Sequence, residues 1–353
     1  MLGGFLALLS AATFAWNNAS VRRGVLTGSV LQGMAITVPI GVPLFFLAAL
    51  ATGYLGAVTA FSQKALAALV AAGILHFVWG RYCNYRAMRA IGTNLAAPVQ
   101  QINLIFTLVL AILILGEKLT VLRLLGIALI LIGPGFTLRE GEDKREPAPA
   151  GSAQPGGNPN AVAAIESASP APSVENEKPP AFKPAYAEGY IFAVLSATGY
   201  GLSPILIRTA LEDQGLGASL AGGLISYAAG TAVMGILLLW PGQLRHVLAV
   251  NAESAKWFTF SGILVCVSQM FLYMAMAVAP VTVVAPINRL TIVFRLYFSR
   301  WLNPQHEVFG GRVIIGTVVS LAGAVVLSLS TEMVSAMLPL PEAVLSVLRW
   351  HWP

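Results

Sequence analysis

Residues 90–133 read AIGTNLAAPVQQINLIFTLVLAILILGEKLTVLRLLGIALILIG, and residues 278–323 read VAPVTVVAPINRLTIVFRLYFSRWLNPQHEVFGGRVIIGTVVSLAG. The second stretch repeats the landmarks of the first in order. Pro98 answers Pro286, Gln100 and Gln101 answer Asn288 and Arg289, Glu117 answers Glu307, Gly126 answers Gly316, and Gly133 answers Gly323. The register continues upstream, where Leu9-Ser10-Ala11 and Arg22 match Leu195-Ser196-Ala197 and Arg208. The chain is therefore written in two similar halves, an arrangement in which a site forms at the interface of the copies.

Composition places both halves in a bilayer. The 353 residues are 57% hydrophobic and 10% charged, with mean hydropathy +0.76, far above ordinary soluble usage. Apolar runs of about 20 residues, the length of a membrane-spanning helix, recur with short breaks. Ten such helices are expected, at about 3–21, 30–50, 67–87, 93–115, 121–138, 189–207, 220–240, 257–278, 281–301 and 308–329. Pro39, Gly41 and Pro43 predict a kink in the second.

Eight of the fifteen acidic residues fall in one polar stretch, 139–188, whose Pro, Ala, Gly, Ser and Glu show no apolar period. Such a segment reads as a disordered linker. The domain reading is a first five-helix repeat over 1–138, the linker over 139–188, a second five-helix repeat over 189–330 and an interfacial C-terminal tail over 331–353. Five helices per half invert the second copy relative to the first. Counting loop Lys and Arg predicts an N-terminus outside the cell.

Among these residues, YRAMRAIGTNLAAPVQQIN (85–103) and LGEKLTVLRLLGIALILIG (115–133), with weaker second copies, resemble the drug/metabolite transporter superfamily of EamA type. That resemblance implies an all-α integral membrane fold of ten transmembrane helices in two inverted EamA-type repeats. It also implies a secondary transporter or exporter of a small organic metabolite, an amino acid or drug-like compound, working by alternating access in a bacterial inner membrane.

A carrier of an organic anion or lipid-linked phosphate is the alternative within transport, and a membrane scaffold or integral-membrane enzyme is the alternative outside it. The sequence holds no phosphate-binding loop, no metal-spaced His and Cys set and no nucleophile with a base at recognisable spacing. No catalytic residue, metal or cofactor is assigned. The expected partners are a small-molecule substrate and the lipid bilayer, with no nucleic acid, and pairing into a homodimer is left open.

Polar side chains in hydrocarbon are costly and mark candidate sites. Arg289 lies eight residues into the ninth expected helix, at the repeat position of Gln101. It is read either as a cation facing substrate or as a structural group bonded near Pro286. Asn288, Gln100, Gln101 and Asn103 follow the two prolines and either read substrate or repair the opened helix. Asn17 and Ser203 occupy matched places before Arg22 and Arg208; Tyr82, Gln269 and Tyr273 complete the candidate set. The seven acids outside the linker fall in loops or at helix ends, which removes a mid-membrane carboxylate from the reading. His76 remains as a titratable group within a helix, read as packed and neutral.

Overall fold

The computed structural model describes residues 2–106, 109, 113, 119–143, 184–211, 215–278, 287–329, 331–337 and 341–352. Those residues are helical almost throughout. In chain order the helices are α1 (Leu2–Thr27), α2 (Val30–Thr37), α3 (Gly41–Ala51), α4 (Gln63–Gly73), α5 (Arg81–Gln100), α6 (Val121–Asp143), α7 (Tyr186–Leu211), α8 (Gly215–Leu238), α9 (Gln243–Leu248), α10 (Ala252–Val278), α11 (Thr291–Leu302), α12 (Gly311–Ser328), α13 (Thr331–Met337) and α14 (Glu342–Arg349).

Local chemistry accounts for the breaks. The Ser29 hydroxyl accepts from Gln32 N while the Gln32 side chain accepts from Ser29 N, a reciprocal cap that starts α2. Pro39 lies in the turn that divides the second expected span into α2 and α3, a full break where a kink is expected. Between α4 and α5, Ile74–Gly80 widens into a π-helical stretch carrying His76. Inside α5, Gly92 adopts φ 81°, ψ 172°, a left-handed φ open chiefly to glycine. The chain turns there, so Thr93 begins a new helix as expected.

Five stretches are long and apolar enough to cross a membrane: Val30–Ala51, Gln63–Phe106, Tyr186–Leu211, Ala218–Leu238 and Ala252–Leu272, with Val121–Phe136 and Gly311–Leu327 apolar but shorter. The chain is a multi-pass membrane protein. Helix α1 is 26 residues long, but Asn17, Asn18, Arg22 and Arg23 dilute its second half. The expected span at 93–115 extends beyond the described residues, as does that at 281–301. Of the expected linker, 139–143 continue α6 and 186–188 begin α7; residues 144–183 lie outside the described residues.

The tail is less helical than the rest. Leu119↔Trp352 and Thr120↔His351 pair antiparallel, tying the end of α14 to the start of α6.

The helices pack in a pattern that exchanges the halves. Helix α1 packs along α10, α7 packs along α4 and α5, and α6 packs along α12. The last contact is backbone-close because a methyl built on Gly126 would lie 2.7 Å from Leu327 N, and one on Gly323 2.8 Å from Ile130 N. Small residues let membrane helices approach in this way. A second core joins α2, α3, α5, α8 and α10 through Met34, Phe45, Phe77, Met88, Tyr227 and Phe258, with the Phe77 and Tyr227 rings stacked at 3.8 Å.

Candidate functional site

A cavity of about 180 Å³ lies between the halves. Helix α1 supplies Ser10 and Phe14 to its wall, the Pro98 end of α5 supplies Ala97 and Gln100, and the turn beyond supplies Gln101 and Asn103. Ser268, Gln269 and Leu272 come from α10; Asn288, Arg289, Thr291, Ile292 and Arg295 come from α11 and the turn before it; His76 and Tyr200 complete the lining. The helix ends are tight here: Gln101 N donates to Pro98 O and Ile102 N to Val99 O, at 3.2 and 3.1 Å.

Arg289 is partly buried on this wall. Its Nε has no hydrogen-bond partner, and it belongs to neither of the two ion pairs found among the described residues. Arg295 is 7% exposed; its Nη1 donates to Gln100 Oε1 at 2.8 Å, and its Nε is unpartnered. The Gln100 amide in turn donates to Asn84 Oδ1. No Asp or Glu is among the described residues that line it. On the opposite wall, Ser10 and Ser268 exchange hydroxyl-to-carbonyl hydrogen bonds of 2.9 Å in both directions, locking α1 to α10.

Six of the sequence candidates meet in the cavity wall: Arg289, Asn288, Gln100, Gln101, Asn103 and Gln269. Asn17 is elsewhere; its Oδ1 accepts from Ser261 Oγ at 2.6 Å inside the α1–α10 packing, because that face of α1 is turned into its neighbour. Ser203 is buried behind the wall and bonds His76 Nδ1 at 2.8 Å. Tyr82 does not face the cavity: it is 36% exposed and meets Phe192 edge-on at 6.1 Å. The side chain of Tyr273 lies outside the described residues, as does Glu117.

Arg295 was absent from the sequence candidates, although a second arginine within an apolar helix is the signal that singles out Arg289. Tyr200 and His76 also reach the wall, their rings 4.7 Å apart.

Outside the cavity lining, a charge cluster joins the two halves. Arg22 is fully buried; its Nη1 donates to Met88 O and Arg89 O at 2.6 and 2.9 Å, its Nη2 to His306 O at 2.6 Å, and its Nε lies 3.6 Å from Glu307 Oε1. Glu307 accepts from Thr93 N at 2.7 Å, Thr93 Oγ1 at 2.8 Å and Asn94 N at 3.0 Å. A carboxylate from the second half thus caps the helix that Gly92 starts in the first half. Burial pushes the Glu307 carboxyl above the usual carboxylate range, against the pull of Arg22 and the Thr93 and Asn94 donors.

The model of the EamA-like transporter family matches residues 1–139 and 187–329. The chain belongs to that family. EamA-type repeats thus cover both halves on which the cavity is built, and the family is one of membrane transporters of small molecules. No curated protein matches the chain. A solved structure described as a crystal structure of a protein aligns over 92% of this chain and 94% of its own, at 18% identity and a TM-score of 0.45.

Proposed function

We propose that this EamA protein is a secondary carrier, working by alternating access across a cytoplasmic membrane of the bacterial inner-membrane kind, for a small organic solute that bears an anionic group. The observation that carries the substrate class is Arg289, a guanidinium on the cavity wall with no ion-pair partner among the described residues. A charge removed from water without a partner is costly, on the order of several kcal/mol, and a bound carboxylate or phosphate relieves that cost while forming charge-assisted hydrogen bonds.

Arg295 adds a second cation to the same wall, and among the described residues the lining offers no carboxylate to an ammonium group. Of the two substrate classes left open by the sequence, this balance favours the organic anion over an amino acid or cationic drug. The exchange-symmetric packing of α1 on α10 and α7 on α4 and α5 supports ten crossings in two inverted repeats, with the cavity at their shared interface.

A thermal-shift panel tests the reading, because a ligand that prefers the folded state raises its melting temperature. Carboxylates, sugar phosphates, amino acids, nucleobases and quaternary amines are compared on the detergent-solubilised protein. Anions should stabilise the wild type most, and Arg289→Gln should weaken that response by about 10- to 100-fold in apparent affinity, the loss of one charged hydrogen-bonding partner. A ranking headed by amines, or an anion response untouched by the substitution, sinks it.

A further inference from the structure

We infer that this carrier is an obligate exchanger: its cavity passes through the closed state only with an anion seated against Arg289 and Arg295. The inference rests on the anion reading and adds to it a rule about the empty protein. It follows from how the buried guanidinium groups are compensated. Arg22 has Glu307 and three carbonyls. Arg81 donates to Thr37 O at 3.1 Å and lies 5.1 and 5.8 Å from the Phe77 and Tyr227 ring centroids.

The two cavity arginines differ. Arg295 has one neutral amide at 2.8 Å, and Arg289 has no ion-pair partner among the described residues. While one end of the cavity is open, water and its ions reach the partly exposed Arg289, whereas Arg295 is buried and rests on the Gln100 amide. Alternating access requires an intermediate with both ends shut, and then about 180 Å³ leaves room for on the order of ten waters. That droplet cannot replace the bulk solvent around Arg289, and it adds nothing to the compensation of Arg295. A seated anion cancels the charge, so the loaded cavity closes far more readily than the empty one.

A lining carboxylate would let the empty protein reset by pairing with an arginine, and among the described residues the lining contains none. Net movement in one direction needs that empty return; one-for-one exchange does not.

The full-length protein in liposomes tests this, with the membrane potential clamped by valinomycin and potassium. The probe is whichever of acetate, succinate, glutamate and inorganic phosphate gives the largest thermal shift. Initial uptake of labelled probe is compared between vesicles preloaded with the unlabelled form and vesicles holding buffer alone. Preloading should speed uptake by about tenfold or more, since each added 1.4 kcal/mol of barrier is a factor of ten.

In Arg289→Gln the advantage of preloading should shrink, because one uncompensated charge is gone. Equal rates into loaded and empty wild-type vesicles would overturn the exchange rule and leave the anion reading standing. If none of the four anions shifts the melting temperature, the anion reading falls and the exchange rule with it. A preloading advantage unchanged in Arg289→Gln would remove that arginine as its cause.

Discussion

Two regions of this molecule hold arginines away from bulk water, and they hold them in opposite ways. In the cluster outside the cavity lining, Arg22 is fully buried, with three carbonyl oxygens and a carboxylate around it. In the cavity, Arg289 has no ion-pair partner among the described residues and Arg295 has a single amide. The first arrangement spends the donors of the guanidinium on the protein itself and so serves as a bolt between halves. The second leaves donors for something that arrives.

The largest effect expected from breaking this contrast is Glu307→Ala. It strands Arg22 with a buried charge and uncaps the helix at Thr93, and removal of one partner of a buried pair costs about 3–5 kcal/mol. Melting of the purified protein should fall sharply, or folded protein should fail to accumulate. A melting temperature within experimental error of wild type would mean that the Arg22 cluster is not a bolt.

Gly92→Ala should follow at about 1–3 kcal/mol, because alanine resists φ 81° and its methyl would press into the Glu307 carboxylate. Arg22→Gln and Arg289→Gln then form the sharpest pair. The first should destabilise, since it removes the ion pair with Glu307 and three hydrogen bonds to carbonyls. The second should leave melting unchanged or raise it, because an uncompensated charge disappears, while anion-dependent stabilisation is lost. Equal destabilisation by both would erase the distinction between bolt and receptor.

How far the sequence discloses these regions depends on what each needs. The all-helical membrane fold is legible because spanning a bilayer demands long apolar helices, and the repeat is legible because Pro98 and Pro286 fall in one register. The amides beside those prolines and Arg289 are legible as polar groups in hydrocarbon. Arg295 carries the same signal, six residues beyond Arg289 and nearer the end of the same apolar run. Tyr82 is misplaced for a different reason. Spacing puts Trp79 and Tyr82 on one face, and both are in fact outward, but an aromatic stripe suits a lipid interface as well as a cavity.

Glu307 is the least legible residue. HEVFGG reads as a worn second copy of the first half's turn, and nothing local reveals that the carboxylate caps Thr93, 214 positions away. A contact between halves of a repeat is set by how the copies dock, which the periodicity of either copy does not contain.

The smallest effect, and the most direct probe of the contrast, comes from giving a cavity arginine what Arg22 already has. Gln100 Oε1 sits 2.8 Å from Arg295 Nη1, so Gln100→Glu places a carboxylate at that position with little change in volume. Arg295 would then be paired, as Arg22 is, and Arg289 would remain a cation with no ion-pair partner among the described residues. Asn84 would lose the Gln100 donor, at a cost of about 1 kcal/mol for one neutral hydrogen bond, offset by the new ion pair, so melting should change little. Anion affinity should fall by about tenfold, with a doubly charged probe such as succinate weakened more than acetate. If affinity for both is unchanged, Arg295 takes no part in attracting the anion and belongs with Arg22 among the structural arginines; if only the dianion weakens, the two arginines act as separate anchors for two charges on one solute.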